Sequence, residues 1–143
     1  MKWTRDKYIL YDECDKADAE AVHSMLADTY WAKGRSLQTV RDTIKRCLCF
    51  SLYGKTIQIG FARVLTDNAT YAIILDVVIE AHYRGRGLGR WMIERITHHP
   101  SIASLKQVLW TSNADQLYRK YGFSIPDKIR FMLKEADNRG DGT

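Results

Sequence analysis

The order of apolar and polar positions splits this chain into a helical first third and a strand-rich middle, with the change at Cys47. Residues 7–12 alternate and predict a first strand. Asp15 and Asp18 then read as a helix start, and Val22, Met25, Leu26 and Tyr30 follow at helical spacing as one apolar face. Lys33-Gly34-Arg35 breaks that helix. Ser36 is placed to cap a second one, with Leu37, Val40 and Ile44 on its inner side. From Cys47 onward, residues 47–53, 55–66 and 71–80 are rich in β-branched and aromatic side chains. Gly54-Lys55 and Asp67-Asn68-Ala69-Thr70 separate them as turns, which predicts an antiparallel meander. A helix over 87–99 follows, with Leu88, Trp91, Met92, Arg95 and Ile96 in register. His98 and His99 stand at its negative end and Pro100 stops it. Residues 105–111 predict a strand, 114–121 a short helix closed by Gly122, and 129–133 a last strand. The tail, 135–143, reads as disordered. The strand–helix–strand step from 71–80 to 105–111 makes those two strands parallel neighbours.

Composition narrows the class. At 143 residues, with 45% hydrophobic and 27% charged positions, the chain predicts one globular domain over 1–134. No apolar run approaches the roughly 20 residues of a membrane span, and the first residues lack a signal-peptide core, so a cytoplasmic protein is expected. Cys14, Cys47 and Cys49 form no paired framework. Cys47 and Cys49 share a strand face and read as small core thiols, since no second pair of soft ligands completes a metal site. The net charge of +5 is dispersed except at Arg84, Arg86 and Arg90. With no long basic stripe or reader motif, no nucleic-acid partner is expected. A cation cluster on a glycine loop fits a small phosphorylated ligand better.

That loop carries the chemistry. Strand residues Leu75-Asp76-Val77-Val78-Ile79 run into Arg84-Gly85-Arg86-Gly87-Leu88-Gly89-Arg90, which opens a helix. Glycines at such an entry expose a row of backbone N–H donors suited to phosphate. The loop is neither a Walker A nor a dinucleotide fingerprint, because its glycines are two apart and it follows a late strand. Arg84-x-x-Gly87-x-Gly89, together with Ala114 to Phe123 and its Leu117-Tyr118…Gly122-Phe123, resembles the GNAT superfamily of acetyl-CoA-dependent N-acetyltransferases. The first segment is similar to that family's Arg/Gln-x-x-Gly-x-Gly/Ala pyrophosphate motif and the second to its Leu-Tyr helix. Element order and length match over essentially the whole chain.

The resemblance implies a mixed α/β fold: a central, mostly antiparallel sheet with one splayed parallel pair, flanked by four helices. It implies acetyl-CoA as cosubstrate, without a metal, and acetyl transfer to an amine by direct attack. The pyrophosphate would lie on Arg84 to Gly89, with Leu88 within that turn and Arg90 beside it, and the pantetheine arm along Val77, Val78 and Ile79. Tyr118 would protonate the departing thiolate, and a backbone N–H near Val77 would stabilise the tetrahedral oxygen. Where many members carry an asparagine against the pantetheine, this chain has Thr111, with Asn113 two residues on; either is a candidate. Asp76, an acid among apolar neighbours, would deprotonate the amine, anchor it electrostatically, act through water, or hold a nearby donor structurally. The first two helices would wall the acceptor pocket, making Tyr30, Trp31 and Arg35 substrate-binding candidates, with Phe61 and Arg63 behind them. The acceptor, a small-molecule or peptide amine, is not legible, and a homodimer is an open alternative. The rival readings are a non-catalytic acyl-CoA-sensing module of the same fold and, more remotely, a basic nucleic-acid-binding domain.

Overall fold

The computed structural model of the chain describes residues 1–137; the end of the expected disordered tail, 138–143, lies outside them. One six-stranded sheet runs β1 (Lys2–Arg5), β2 (Tyr8–Tyr11), β3 (Leu48–Gly54), β4 (Ile57–Thr66), β5 (Tyr71–Ile79) and β6 (Lys106–Val108), in spatial order identical to chain order. Every adjacent pair is antiparallel except β5 and β6, which are parallel. The helices are α1 (Ala19–Ala27), α2 (Leu37–Arg46), α3 (Leu88–Thr97) and α4 (Asp115–Arg119). The expected mixed α/β architecture, with one parallel pair and four helices, is the one found.

Two apolar cores form, one on each side of the sheet. On one side α1 and α2 press Val22, Met25, Leu26, Val40 and Ile44 against Cys49, Phe61 and Val78. On the other, Leu88, Trp91, Met92, Ile93 and Ile96 of α3 cover Leu10, Phe50, Leu52, Ala62, Val64 and Ile74. The helix starts follow their caps: Asp18 accepts from Ala21 N at 3.2 Å and Ser36 from Thr39 N at 3.1 Å, each satisfying an orphan N–H.

Four expectations need correction. The first strand is half of a hairpin: β1 precedes it, turned by Asp6 at a positive φ of 54° and fixed by Trp3 stacking on Phe50. α1 ends at Ala27, so Tyr30 leaves the apolar face and lies in the loop beyond. The predicted strand at 105–111 pairs only over Lys106–Val108, after which the chain departs from β5. Residues 129–133 form no strand. The alternating pattern is present, but the segment has no ladder partner, and Ile129, Phe131, Met132 and Leu133 stay exposed. At the end of α3, His99 is buried, its Nε2 at 2.8 Å from Asp12 Oδ2. No helix among the described residues is long and apolar enough to cross a membrane.

Candidate active site

The site begins with a fault in the β4–β5 ladder. Arg63 pairs with Leu75 and Phe61 with Val78, so Asp76 and Val77 together oppose Ala62. This is a β-bulge, and it places Asp76 at φ 57°, a left-handed conformation rare for a residue with a side chain. The extra residue reverses the facing of the strand. Ala72 and Ile74 lie in the α3 core, whereas beyond the bulge Val77 and Ile79 face that core and Val78 faces α1 and α2.

Asp76 is buried and its carboxylate accepts from three side-chain donors. Arg63 Nε donates to Oδ2 at 2.6 Å, Arg35 Nη1 to the same oxygen at 2.7 Å, and Trp31 Nε1 to Oδ1 at 3.1 Å. The Asp76 side chain is 2% exposed, against 18% for Arg35 and 12% for Arg63. Burial works against the Arg63 charge. The Asp76 carboxylate and a contact with Cys47 Sγ outweigh it, so its pKa is raised. The α1–α2 loop is thereby tied to the centre of the sheet. Its aromatics form an exposed rim: Tyr30 is 72% exposed, packs edge-on against Trp31 with centroids 5.1 Å apart, and donates to Ser112 Oγ at 2.9 Å. That hydrogen bond joins the α1–α2 loop to the β6–α4 loop.

β5 and β6 form a ladder only from Tyr71 to Ile73. The β6-facing edge of β5 beyond Ile73, including Val77, Val78 and Ile79, therefore has no strand paired to it among the described residues. Arg84 Nε reaches back to Ile79 O at 2.9 Å. The glycine loop sits at the end of this open edge. Gly85 and Gly87 have φ of 80° and 76°, and Gly87 is the residue that caps α3, so both need the left-handed freedom of glycine. Gly89 is already helical, and a Cβ there would meet Ile79 Cγ1 at an ordinary 3.7 Å. Leu88 is buried in the core.

The arginines diverge. Arg86 donates to Tyr8 Oη at 3.2 Å and lies over the Tyr83 ring, turned toward the β1–β2 hairpin. Arg90 is exposed, and its carbonyl accepts from Tyr121 Oη at 3.4 Å, tying α3 to the end of α4. Arg5, which the sequence reading passed over, donates to Gly87 O at 3.2 Å and braces the loop. Only recognition of β1 as a strand would have brought it there.

Tyr118 on α4 packs against the α3 core and edge-on against Phe123 at 5.9 Å. Its hydroxyl has no protein partner among the described residues, and burial raises its pKa. Thr111 Oγ1 accepts from Ala114 N at 3.0 Å, so that oxygen is used in starting α4, while Asn113 is exposed. Among the described residues no three His, Cys, Asp or Glu side chains converge on a common point.

A sheet opened between two parallel strands, with a left-handed glycine loop heading the next helix, has the layout of an acyl-coenzyme A transferase. The chain belongs to the GNAT acetyltransferase family. The profile described as "Acetyltransferase (GNAT) domain" matches residues 45–125. An uncharacterized N-acetyltransferase, ycf52, of Porphyra purpurea is 33% identical over 111 residues, 72% of this chain. The chain spans 63% of that relative's length and 64% of that of a fungal relative from Gibberella zeae. Among solved structures, a protein assigned to the GNAT family from Xanthomonas campestris pv. campestris superposes with TM-score 0.81 at 32% identity, covering 87% of this chain and 93% of its own. A GNAT acetyltransferase of Elizabethkingia anophelis with acetyl-CoA bound shares the fold at TM-score 0.65 and 16% identity, over 86% of this chain and 80% of its own.

Proposed function

We propose that the chain is an acetyl-CoA-dependent N-acetyltransferase in which a primary amine attacks the thioester directly, within a ternary complex. The observation that carries this reading is the open edge of β5 leading into the glycine loop. An extended pantetheine arm would pair with the backbone of Val77, Val78 and Ile79 as an added strand. The pyrophosphate would lie on the N–H groups from Arg84 to Gly89, where the α3 N-terminus favours negative charge. Arg84 and Arg90 are the cations nearest this role. Arg86 is engaged by Tyr8 and would contribute at longer range. Asn113, with no hydrogen-bond partner among the described residues, is better placed than Thr111 to reach the arm.

In the transfer the amine nitrogen forms a C–N bond to the acetyl carbonyl carbon as the C–S bond breaks. The Val77 N–H lies beside the bulge, where it would stabilise the tetrahedral oxygen. The Tyr118 hydroxyl supplies the proton for the departing thiolate, and the proton lost by the amine passes to water in the cleft. Asp76 holds Arg35, Arg63 and Trp31 in place rather than taking the amine proton, with three donors on its carboxylate. Tyr30 and Trp31 flank the acceptor.

Acetyl-CoA raises the melting temperature of the protein, as a ligand of the native state must. Binding is followed by thermal shift and transfer by thiol release. No shift at millimolar acetyl-CoA would sink the reading, and a shift with no thiol release on any amine would leave the acyl-CoA-sensing module. Tyr118→Phe lowers kcat about 100-fold, the scale of general acid catalysis, with Kd for acetyl-CoA within twofold of wild type. Unchanged kcat removes Tyr118 as the acid.

A further inference from the structure

Two guanidinium groups share one carboxylate at the acceptor wall, which leaves one positive charge unmatched. Asp76 is the one carboxylate within 4.0 Å of Arg35 or Arg63 among the described residues, and both arginines use the same oxygen, Oδ2. Trp31 donates to the other oxygen, Oδ1. Arg35 spends Nη1 there, and Arg63 spends Nε on Asp76 and Nη1 on Cys47 Sγ. Nε and Nη2 of Arg35, and Nη2 of Arg63, have no hydrogen bond among the described residues. None of these nitrogens is sealed from solvent: the buried polar side-chain atoms left unpaired among the described residues are Ser51 Oγ and Gln107 Oε1. The free N–H groups are therefore reachable by solvent, from side chains already fixed in place.

A preorganised, partly desolvated guanidinium with free donors recognises an anionic oxygen group. A neutral amine would leave this charge uncompensated in a poorly solvated site, while an anionic group on the acceptor restores balance. The exposed Tyr30–Trp31 rim supplies ring faces for the acceptor's alkyl or ammonium portion. We infer that the acceptor is a primary amine that also carries an anionic oxygen group, a carboxylate or a phosphate, held by Arg35 and Arg63 while its nitrogen faces the thioester. This inference rests on the acetyltransferase reading and names the substrate class of that same site.

Matched amine pairs test it: phenylalanine against phenethylamine, 4-aminobutyrate against n-propylamine, and O-phosphoethanolamine against ethanolamine. Thiol release from acetyl-CoA is followed at fixed pH and ionic strength. At least one anionic member exceeds its neutral partner in kcat/KM by tenfold or more, and the carboxylate and phosphate pairs show which group is read. In Arg35→Met that preference falls at least tenfold through KM rather than kcat, and Arg35→Lys recovers part of it. Neutral amines matching or beating their anionic partners overturn the inference, as does failure of every anionic probe to accelerate thiol release above the acceptor-free rate. Thermal shift with acetyl-CoA, read on the same samples, separates the two claims. A shift without anion preference overturns the inference alone, and absence of a shift overturns the acetyltransferase reading and the inference together.

Discussion

Asp76 shows how one residue can carry strain and charge at the same point. Its left-handed backbone costs on the order of 1 kcal/mol for a residue with a side chain. Three side-chain donors on one carboxylate hold it there. Asparagine tolerates the same backbone, so Asp76→Asn removes one of the two acceptor oxygens together with the charge, without a backbone change. Removing it strands two part-buried cations, and urea denaturation then shows a loss of about 3 kcal/mol, the lower range for breaking a buried pair because both arginines retain some water. A loss below about 0.5 kcal/mol would mean that the cluster holds nothing together. The sequence marks Asp76 as an odd charge among apolar neighbours, and Arg35 and Arg63 as separate candidates. It does not reveal that the three meet, since residues 35, 63 and 76 are joined by tertiary packing and not by any local spacing.

At the scale of elements, the β5–α3 loop separates two uses of glycine. Gly87 sits at φ 76°, and its nearest neighbours to an added Cβ are Arg5 guanidinium nitrogens at an ordinary 3.7 Å. Gly87→Ala therefore costs stability through backbone conformation, about 1 kcal/mol, and weakens the stabilisation by acetyl-CoA. Gly89 carries no such backbone demand and has room for a methyl group against Ile79. Gly89→Ala leaves the melting temperature of the free protein within about a degree of wild type, so a lost acetyl-CoA shift there reports close approach of the ligand. Equal loss of stability in the two variants would contradict this division. The loop and the capped start of α2 were legible because each depends on residues near in sequence, and the parallel β5–β6 pair because a strand–helix–strand connection dictates it. The short ladder of β6 and the unpaired segment at 129–133 were not. A strand needs a partner as well as a pattern, and partnership is settled across the fold.

For the whole molecule, the two faces of the sheet divide the labour. The α3 side holds the glycine loop and Tyr118, whereas the α1–α2 side holds Arg35, Trp31 and the Asp76 cluster. The hairpin that sequence reading cut in half belongs to this division: β1 brings Arg5 to Gly87, and β2 brings Tyr8 to Arg86. Trp3 lies before the strand expected at 7–12, since a single aromatic cannot announce a strand, yet its ring lies against Phe50 and His99. Family, fold class and loop were readable from two local motifs. The cluster of Asp76, Arg35, Arg63 and Trp31 was readable only as a set of disconnected candidates.

The bulge in β5 also has a meaning for changes in chain length. The strand is two short runs spliced out of phase, so even-numbered positions address one side of the sheet before the splice and the other side after it. Deleting Asp76 at the splice would restore an unbroken alternation, with Val77 opposite Ala62 and with Val77, Val78 and Ile79 on the faces they already occupy. The packing on both sides of the sheet could thus do without the extra residue, and that residue is the one whose side chain both arginines grip.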